Sequence, residues 1–312
     1  MTSSAQSNQH NLTLGILMMI AFAIVAPMMD ALAKGTPHEI PVSEALLARF
    51  GIQALLMLPI ALALGILHRP GAREAGLHLL RGGFLLLATW FFFSALRHMP
   101  IANAISIFFV EPFIVTLLGA VFLGEVVRAR RLTAAAVGFG GAMLVIQPSF
   151  KDLGLVALFP LGTAVCFALY MILTRSMAQK VHPIAMQGYT ALAAVVLVAP
   201  LLVWFDGTGN EMFDPVWPSQ RAMWFLLGVG VIASISHLFL SIALKLAPAG
   251  VIAPLQYLEI VTGVVLGYFF FDDFPNALTW LGIFIIVGSG LYIFSRERKL
   301  EEVAETPPTP AP

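Results

Sequence analysis

Sorted into apolar and polar positions, the chain is a series of long apolar runs separated by short polar turns. The runs cover 12–33, 43–67, 77–97, 101–123, 132–147, 154–177, 184–204, 222–244, 250–271 and 276–294. Most approach the ~20 residues that a helix needs to cross the hydrocarbon core of a bilayer. Turn-forming Gly, Pro, Asn and Asp collect between them. The longest connection, 205–221, holds Asp206, Gly207, Gly209, Asn210, Asp214, Pro215 and Pro218, and is expected to be exposed with room for a short surface helix. The pattern predicts an all-α integral membrane protein of ten transmembrane helices.

Composition sharpens this picture. With 59% hydrophobic and 11% charged residues, nothing remains for a soluble catalytic domain. Net charge is zero and gives no hint of a nucleic-acid partner, but the placement of the charges is informative. With a cytoplasmic N-terminus, twelve of the 17 Lys and Arg residues, Arg69, Arg128, Lys180 and Arg298 among them, fall in inside segments. Only Lys34, Arg97, Lys151 and Arg221 fall outside, and Arg49 lies within a span. That excess is the bias of cytoplasmic loops, so both termini are expected in the cytoplasm of a bacterial inner-membrane protein. Trp204, Trp217 and Trp224 fit an aromatic belt on the opposite side.

Residues 1–11 contain no Lys or Arg, and the first apolar run continues past Ala21-Phe22-Ala23, so this run is expected to be a retained helix and not a cleaved signal. Residues 295–312, ending acidic and proline-rich, are expected to be a disordered cytoplasmic tail. Cys166 reads as a small core residue. The seven histidines are scattered without zinc spacing, and no phosphate loop, dinucleotide fingerprint or nucleophile elbow occurs. No metal site, cofactor or catalytic residue is expected.

A shift of 148 positions lays Ala95-Leu96-Arg97-His98-Met99-Pro100 on Ala243-Leu244-Lys245-Leu246-Ala247-Pro248. The same shift pairs Glu111 with Glu259, Gly119 with Gly267, Glu125 with Asp273 and Gly140 with Gly288. The chain therefore divides into two repeats, 12–147 and 154–294, of five spans each. An odd number of spans turns the second copy upside down relative to the first, an arrangement common to secondary transporters.

The run Arg81-Gly82-Gly83, the segment from Ala95 through Asn103 to Ala104, Phe109-Val110-Glu111-Pro112 and Leu123-Gly124-Glu125 together resemble the EamA branch of the drug/metabolite transporter superfamily. The second half departs from that pattern, with Phe271-Asp272-Asp273 for the Leu-Gly-Glu ending and no proline after Glu259. The resemblance implies ten helices, inverted halves, cytoplasmic termini and movement of organic solutes. Its Phe-Phe-Val-Glu-Pro stretch looks like the riboflavin-uptake and S-adenosylmethionine-uptake members.

Candidate site residues follow from depth. Counted from their span ends, Glu111 and Glu259 both reach mid-membrane, where an acid costs about 2.5–3.5 kcal/mol and must face a cavity, find a partner or stay protonated. Pro112 is expected to kink the helix beside Glu111. Gln256, Glu259, Thr262 and Gly263 share one helical stripe, and Gly263 and Gly267 form a small-xxx-small pattern suited to close helix packing. Arg49 is expected either to pair with Asp30 or to hold an anionic group of a substrate, and His237 either lines the cavity or makes a bundle hydrogen bond. Arg81, Arg97 and Lys245, near span ends, are expected to be solvated or at the lipid headgroups. Trp90, Tyr257 and the neighbouring phenylalanines are placed to stack on a planar ring or cation, and Asn103 joins these candidates.

The sequence thus points to a secondary transporter that moves a small organic metabolite by alternating access, with proton coupling through the acids. A riboflavin-like aromatic solute leads the substrate classes, ahead of export of amino acids or other amphiphilic metabolites. The reading from another class is an integral-membrane enzyme acting on a lipid-soluble substrate. Expected partners are the small-molecule substrate and the lipid bilayer, without nucleic acid, and a homodimer stays open.

Overall fold

In hydrocarbon a backbone N–H or C=O has no water to bond, so a chain this apolar satisfies its backbone within helices. The structure, a computed structural model, describes the backbone of residues 2–123, 129–247 and 249–305, and these residues form helices and turns with no strand. Gly124, Glu125, Arg128 and Pro248, used in the sequence argument, lie outside the described residues.

The helices are α1 (Thr2–Gly35), α2 (Val42–Ala63), α3 (Ala72–Leu96), α4 (Ile101–Phe108), α5 (Glu111–Leu123), α6 (Ala129–Leu153), α7 (Phe159–Ala178), α8 (Pro183–Phe205), α9 (Gln220–Leu246), α10 (Ala249–Ile252), α11 (Leu258–Phe271) and α12 (Ala277–Glu305). Tight 3₁₀ turns occupy Gly154–Leu158 and Ala253–Tyr257. Among the described residues seven helical segments are long and apolar enough to cross a membrane: Asn11–Gly35, Val42–Ala63, Ala72–Leu96, Phe150–Ala178, Pro183–Phe205, Gln220–Leu246 and Pro254–Phe271. Ile101–Val115, Thr133–Ile146 and Ala277–Tyr292 are shorter apolar helices. They coincide with the fourth, fifth and tenth apolar runs. α12 stays helical to Glu305, well into the stretch expected to be a disordered tail.

Two runs that read as continuous spans are broken. The run 101–123 splits at Phe109 and Val110 into α4 and α5, and the run 250–271 becomes α10, a 3₁₀ turn and α11. Proline supplies the reason in both, since Pro112 and Pro254 have no N–H to give the preceding turn. At the first break Val110 N turns to Ile107 O at 3.3 Å and Phe113 N to Val110 O at 3.0 Å. Glu111 opens α5, and Glu259 is the second residue of α11.

Lipid is as apolar as leucine, so these helices associate by close packing and internal hydrogen bonds. α1 packs on α9 and α11, α2 on α8 and α9, α3 on α7 and α8, α4 on α11, and α6 on α12, so every one of these contacts joins the first half of the chain to the second. Small residues let the backbones meet: a Cβ on Gly141 would come within 3.0 Å of the Gly282 carbonyl, and one on Gly282 within 2.7 Å of the Gly141 carbonyl. At Gly263 a Cβ would lie 2.5 Å from Ile105 Cδ1 on α4. Gly267 instead lies at the C-terminal turn of α11, where its carbonyl accepts from Asp273 N at 3.0 Å.

The connection after α8 contains no helix. Asp214 folds it by accepting from Gly207 N at 2.8 Å and Gly209 N at 2.6 Å, both glycines having φ +72°. Trp204, Trp217 and Trp224 are exposed, as an aromatic belt requires.

Candidate functional site

Helices from both halves line a partly open cavity. From the first half, α1 contributes Phe22, Met29 and Asp30, α2 contributes Arg49, α3 contributes Thr89, Phe92 and Phe93, and α4 contributes Ile105 and Phe108. From the second, α7 brings Thr163 and Phe167, α9 brings His237, and the broken segment before and at α11 brings Gln256 and Glu259. Four phenylalanines from α3, α4 and α7 make an aromatic wall. Asp30, Arg49, His237, Gln256 and Glu259 make the polar lining, and each is buried.

Arg49 organises the polar part. Its Nη1 donates to Thr89 Oγ1 at 2.6 Å and its Nη2 to His237 Nε2 at 2.8 Å. A guanidinium has only donors, so His237 accepts through Nε2 and carries its proton on Nδ1, which is buried without a partner. Of the readings open for Arg49, an ion pair with Asp30 does not form: Asp30 Oδ1 is buried without a hydrogen bond, and the two groups interact only at longer electrostatic range.

Behind Arg49 a polar chain continues into the bundle. Gln53 Nε2 donates to Gln187 Oε1 at 3.1 Å, and Gln187 Nε2 donates to the His237 carbonyl at 2.9 Å and to Ser241 Oγ at 2.5 Å. Further along α3, Arg81 is fully buried, which corrects the expectation that it is solvated. Its Nε donates to Thr174 Oγ1 at 2.8 Å, its Nη2 to Tyr170 Oη at 2.9 Å, and its Nη1 to the Met186 carbonyl at 3.1 Å and to Thr190 Oγ1. This knot ties α3 to α7 and α8. Arg97 is likewise half-buried and donates to the Ile40 carbonyl, and burial holds its guanidinium below the ordinary value. Lys245 is exposed, as expected.

At the other end of α3, Lys34 Nζ, at the end of α1, lies 3.0 Å from Asp273 Oδ2 and donates to the Met99 carbonyl at 2.7 Å. One side chain thus joins α1, the α3–α4 turn and the end of α11.

The sequence-derived residues divide into those at the cavity and those outside it. Arg49, His237, Gln256 and Glu259 line the cavity, whereas Glu111, Tyr257, Trp90 and Asn103 do not. Glu111 is buried beneath the break between α4 and α5, within electrostatic reach of Arg175 and Tyr257. Tyr257 stacks on Phe109 with ring centroids 5.0 Å apart, its hydroxyl buried without a partner. Trp90 packs among Phe91 and Phe159. Asn103 is buried on α4, its Oδ1 unpartnered. Sequence reasoning overlooked Thr89, Gln53 and Gln187, although each is a polar residue inside an apolar run, the signal that exposed Glu111 and Glu259.

The EamA-like transporter family profile matches this chain twice, over residues 13–147 and 154–295. A riboflavin transporter of Vibrio cholerae is 26% identical over 297 residues, covering 94% of this chain and 97% of that protein. The pseudopaline exporter CntI of Pseudomonas aeruginosa is 30% identical over 278 residues, covering 88% and 93%. An S-adenosylmethionine uptake transporter of Rickettsia prowazekii is 25% identical over 285 residues, covering 91% and 94%. A double match over almost the whole length, on a helical bundle that encloses a mixed polar and aromatic cavity, makes this chain a member of the EamA-like transporter family.

Proposed function

We propose that the protein is a secondary carrier that moves a small amphiphilic metabolite across the bacterial inner membrane by alternating access, its two halves rocking about the cavity. One observation carries this reading: the cavity wall is built from both halves of the chain. A relative movement of the halves therefore opens or closes it.

The ten spans, the inverted repeats 12–147 and 154–294 and the cytoplasmic termini belong to this proposal. Three features support them. The shift of 148 positions pairs Phe109 with Tyr257, and these two rings touch, as equivalent residues do at a two-fold axis. It pairs Thr89 with His237, the two groups that hold Arg49, and Phe108 with Gln256, both on the cavity wall. The chain breaks also correspond, since α5 begins at Glu111 and α11 one residue before Glu259.

In this state Glu259 faces the cavity and Glu111 does not. Exchanging the conformations of the halves exchanges those environments, so one acid after the other meets the transported solute or a proton. The Arg81 knot and the Lys34 tie then act as closures at opposite ends of α3. The aromatic wall suits a solute with a planar body, and relatives named for uptake and for export leave either direction available.

Reconstitution in proteoliposomes tests the proposal, with labelled riboflavin and S-adenosylmethionine as first solutes and an untargeted metabolite comparison to extend the set. Saturable uptake, accelerated by the same solute on the opposite face and lost in Glu259→Gln, is the expected result. Flux without countertransport, or full flux in both Glu259→Gln and Glu111→Gln at every pH, would remove alternating access through these acids.

A further inference from the structure

We infer that the transported solute carries a protonated amine, received between Asp30 of α1 and Glu259 of α11, with its apolar body against the phenylalanines of α3, α4 and α7. This inference rests on the carrier reading and names the chemistry of the same cavity.

Three observations converge on it. Asp30 and Glu259 both line the cavity, are at least nine-tenths buried, and lie within electrostatic range of one another. Among the described residues neither carboxyl is engaged in a hydrogen bond or an ion pair, and Asp30 Oδ1 is buried with no partner. The cavity therefore presents acceptors that the protein leaves unanswered, and buried polar groups without partners are costly unless a ligand completes them. The third observation concerns Arg49, the basic side chain of the lining. Its terminal nitrogens donate to Thr89 and to His237, its Nε is buried without a partner, and it reaches Asp30 only at longer electrostatic range, so one cation stands beside two acids.

An ammonium group has three donors and no acceptor, which complements two carboxyls directly. A carboxylate or phosphate would sit beside two acids with Arg49 alone to answer it. A neutral ring would leave both acids unanswered. Phe92, Phe93, Phe108 and Phe167 accept the rest of the solute, and their rings favour a cation over an anion at their faces.

The test uses the purified full-length protein in detergent micelles and three compounds that share one ring system: naphthylethylamine, naphthylethanol and naphthylacetate. Affinities are read by calorimetry at neutral pH. The expected order is amine first, by about tenfold or more over the alcohol, with the acetate weakest. Asp30→Asn is expected to erase most of the amine's advantage and to leave the alcohol's affinity within about twofold. The inference is overturned if the alcohol or acetate equals the amine, if none of the three binds, or if the preference survives in both Asp30→Asn and Glu259→Gln. The wild-type comparison decides even if a variant fails to purify as a single species. A protein that transports in vesicles but prefers the alcohol remains a carrier and loses the amine; one that prefers the amine but shows no countertransport loses the carrier reading.

Discussion

Substitutions at Arg81 separate the shape of the guanidinium from its charge. The side chain is wholly buried, makes four hydrogen bonds across α7 and α8, and among the described residues has no carboxylate within ion-pair distance. Burying such a charge costs several kcal/mol, which the four bonds largely offset. In Arg81→Met the charge disappears and most of the volume stays. The Thr174 and Thr190 hydroxyls still donate to the Tyr170 and Met186 carbonyls, each at 2.7 Å, so few groups are orphaned. The loss is then within about 1.5 kcal/mol. Arg81→Ala adds a cavity and should cost about 3–5 kcal/mol. Arg81→Lys keeps the buried charge but lacks the fork that reaches two helices at once, and should cost about as much as Ala. Apparent unfolding temperatures of the detergent-solubilised variants, followed by tryptophan fluorescence at one scan rate, report the order. Stability of Lys equal to wild type, with Met falling as far as Ala, would refute the reasoning.

Gly141→Ala drives a methyl group against the Gly282 carbonyl and should cost about 1–3 kcal/mol, whereas Gly140→Ala, with nothing within 4 Å, should be neutral or slightly stabilising; equal melting temperatures would contradict the α6–α12 packing. His182 caps α8 by accepting from Ile184 N at 3.3 Å, and partial burial together with Lys245 holds its pKa below the usual 6.5. Its folded state favours the neutral ring, so this contribution is present above pH 6.5 and fades as pH falls through that value toward the folded pKa. His182→Asn should flatten that part of the pH-stability curve, and an unchanged slope would assign it elsewhere. Glu259→Gln should impair transport in the state described and Glu111→Gln should leave solute binding in that state unaltered, which equilibrium binding and transport assays read separately.

Apolar periodicity located the helices well, because in lipid the length and polarity of a run decide whether it spans. The breaks were less legible. Pro112 announced a disturbance, but its extent over Phe109 and Val110, and the matching 3₁₀ turn at Ala253–Tyr257, depend on how α4 meets α11. Depth along a helix likewise identified Arg49, Glu259 and His237 as inward candidates, and the stripe shared with Glu259 added Gln256. It put Glu111 on an equal footing with Glu259, because depth carries no information about which face opens to the cavity. Arg81 was misjudged for a related reason: a position near a span end reads as solvated until its partners are known, and those lie between Tyr170 and Thr190.

That separation in sequence bears on how the protein is made. Every partner of Arg81 is synthesised 89 to 109 residues after it. The third helix therefore leaves the ribosome with a cation whose protein acceptors are not yet made, and until α7 and α8 arrive the lipid headgroups are the acceptors within its reach. A nascent chain stopped after α6 would hold an arginine without the acceptors that bury it in the folded protein.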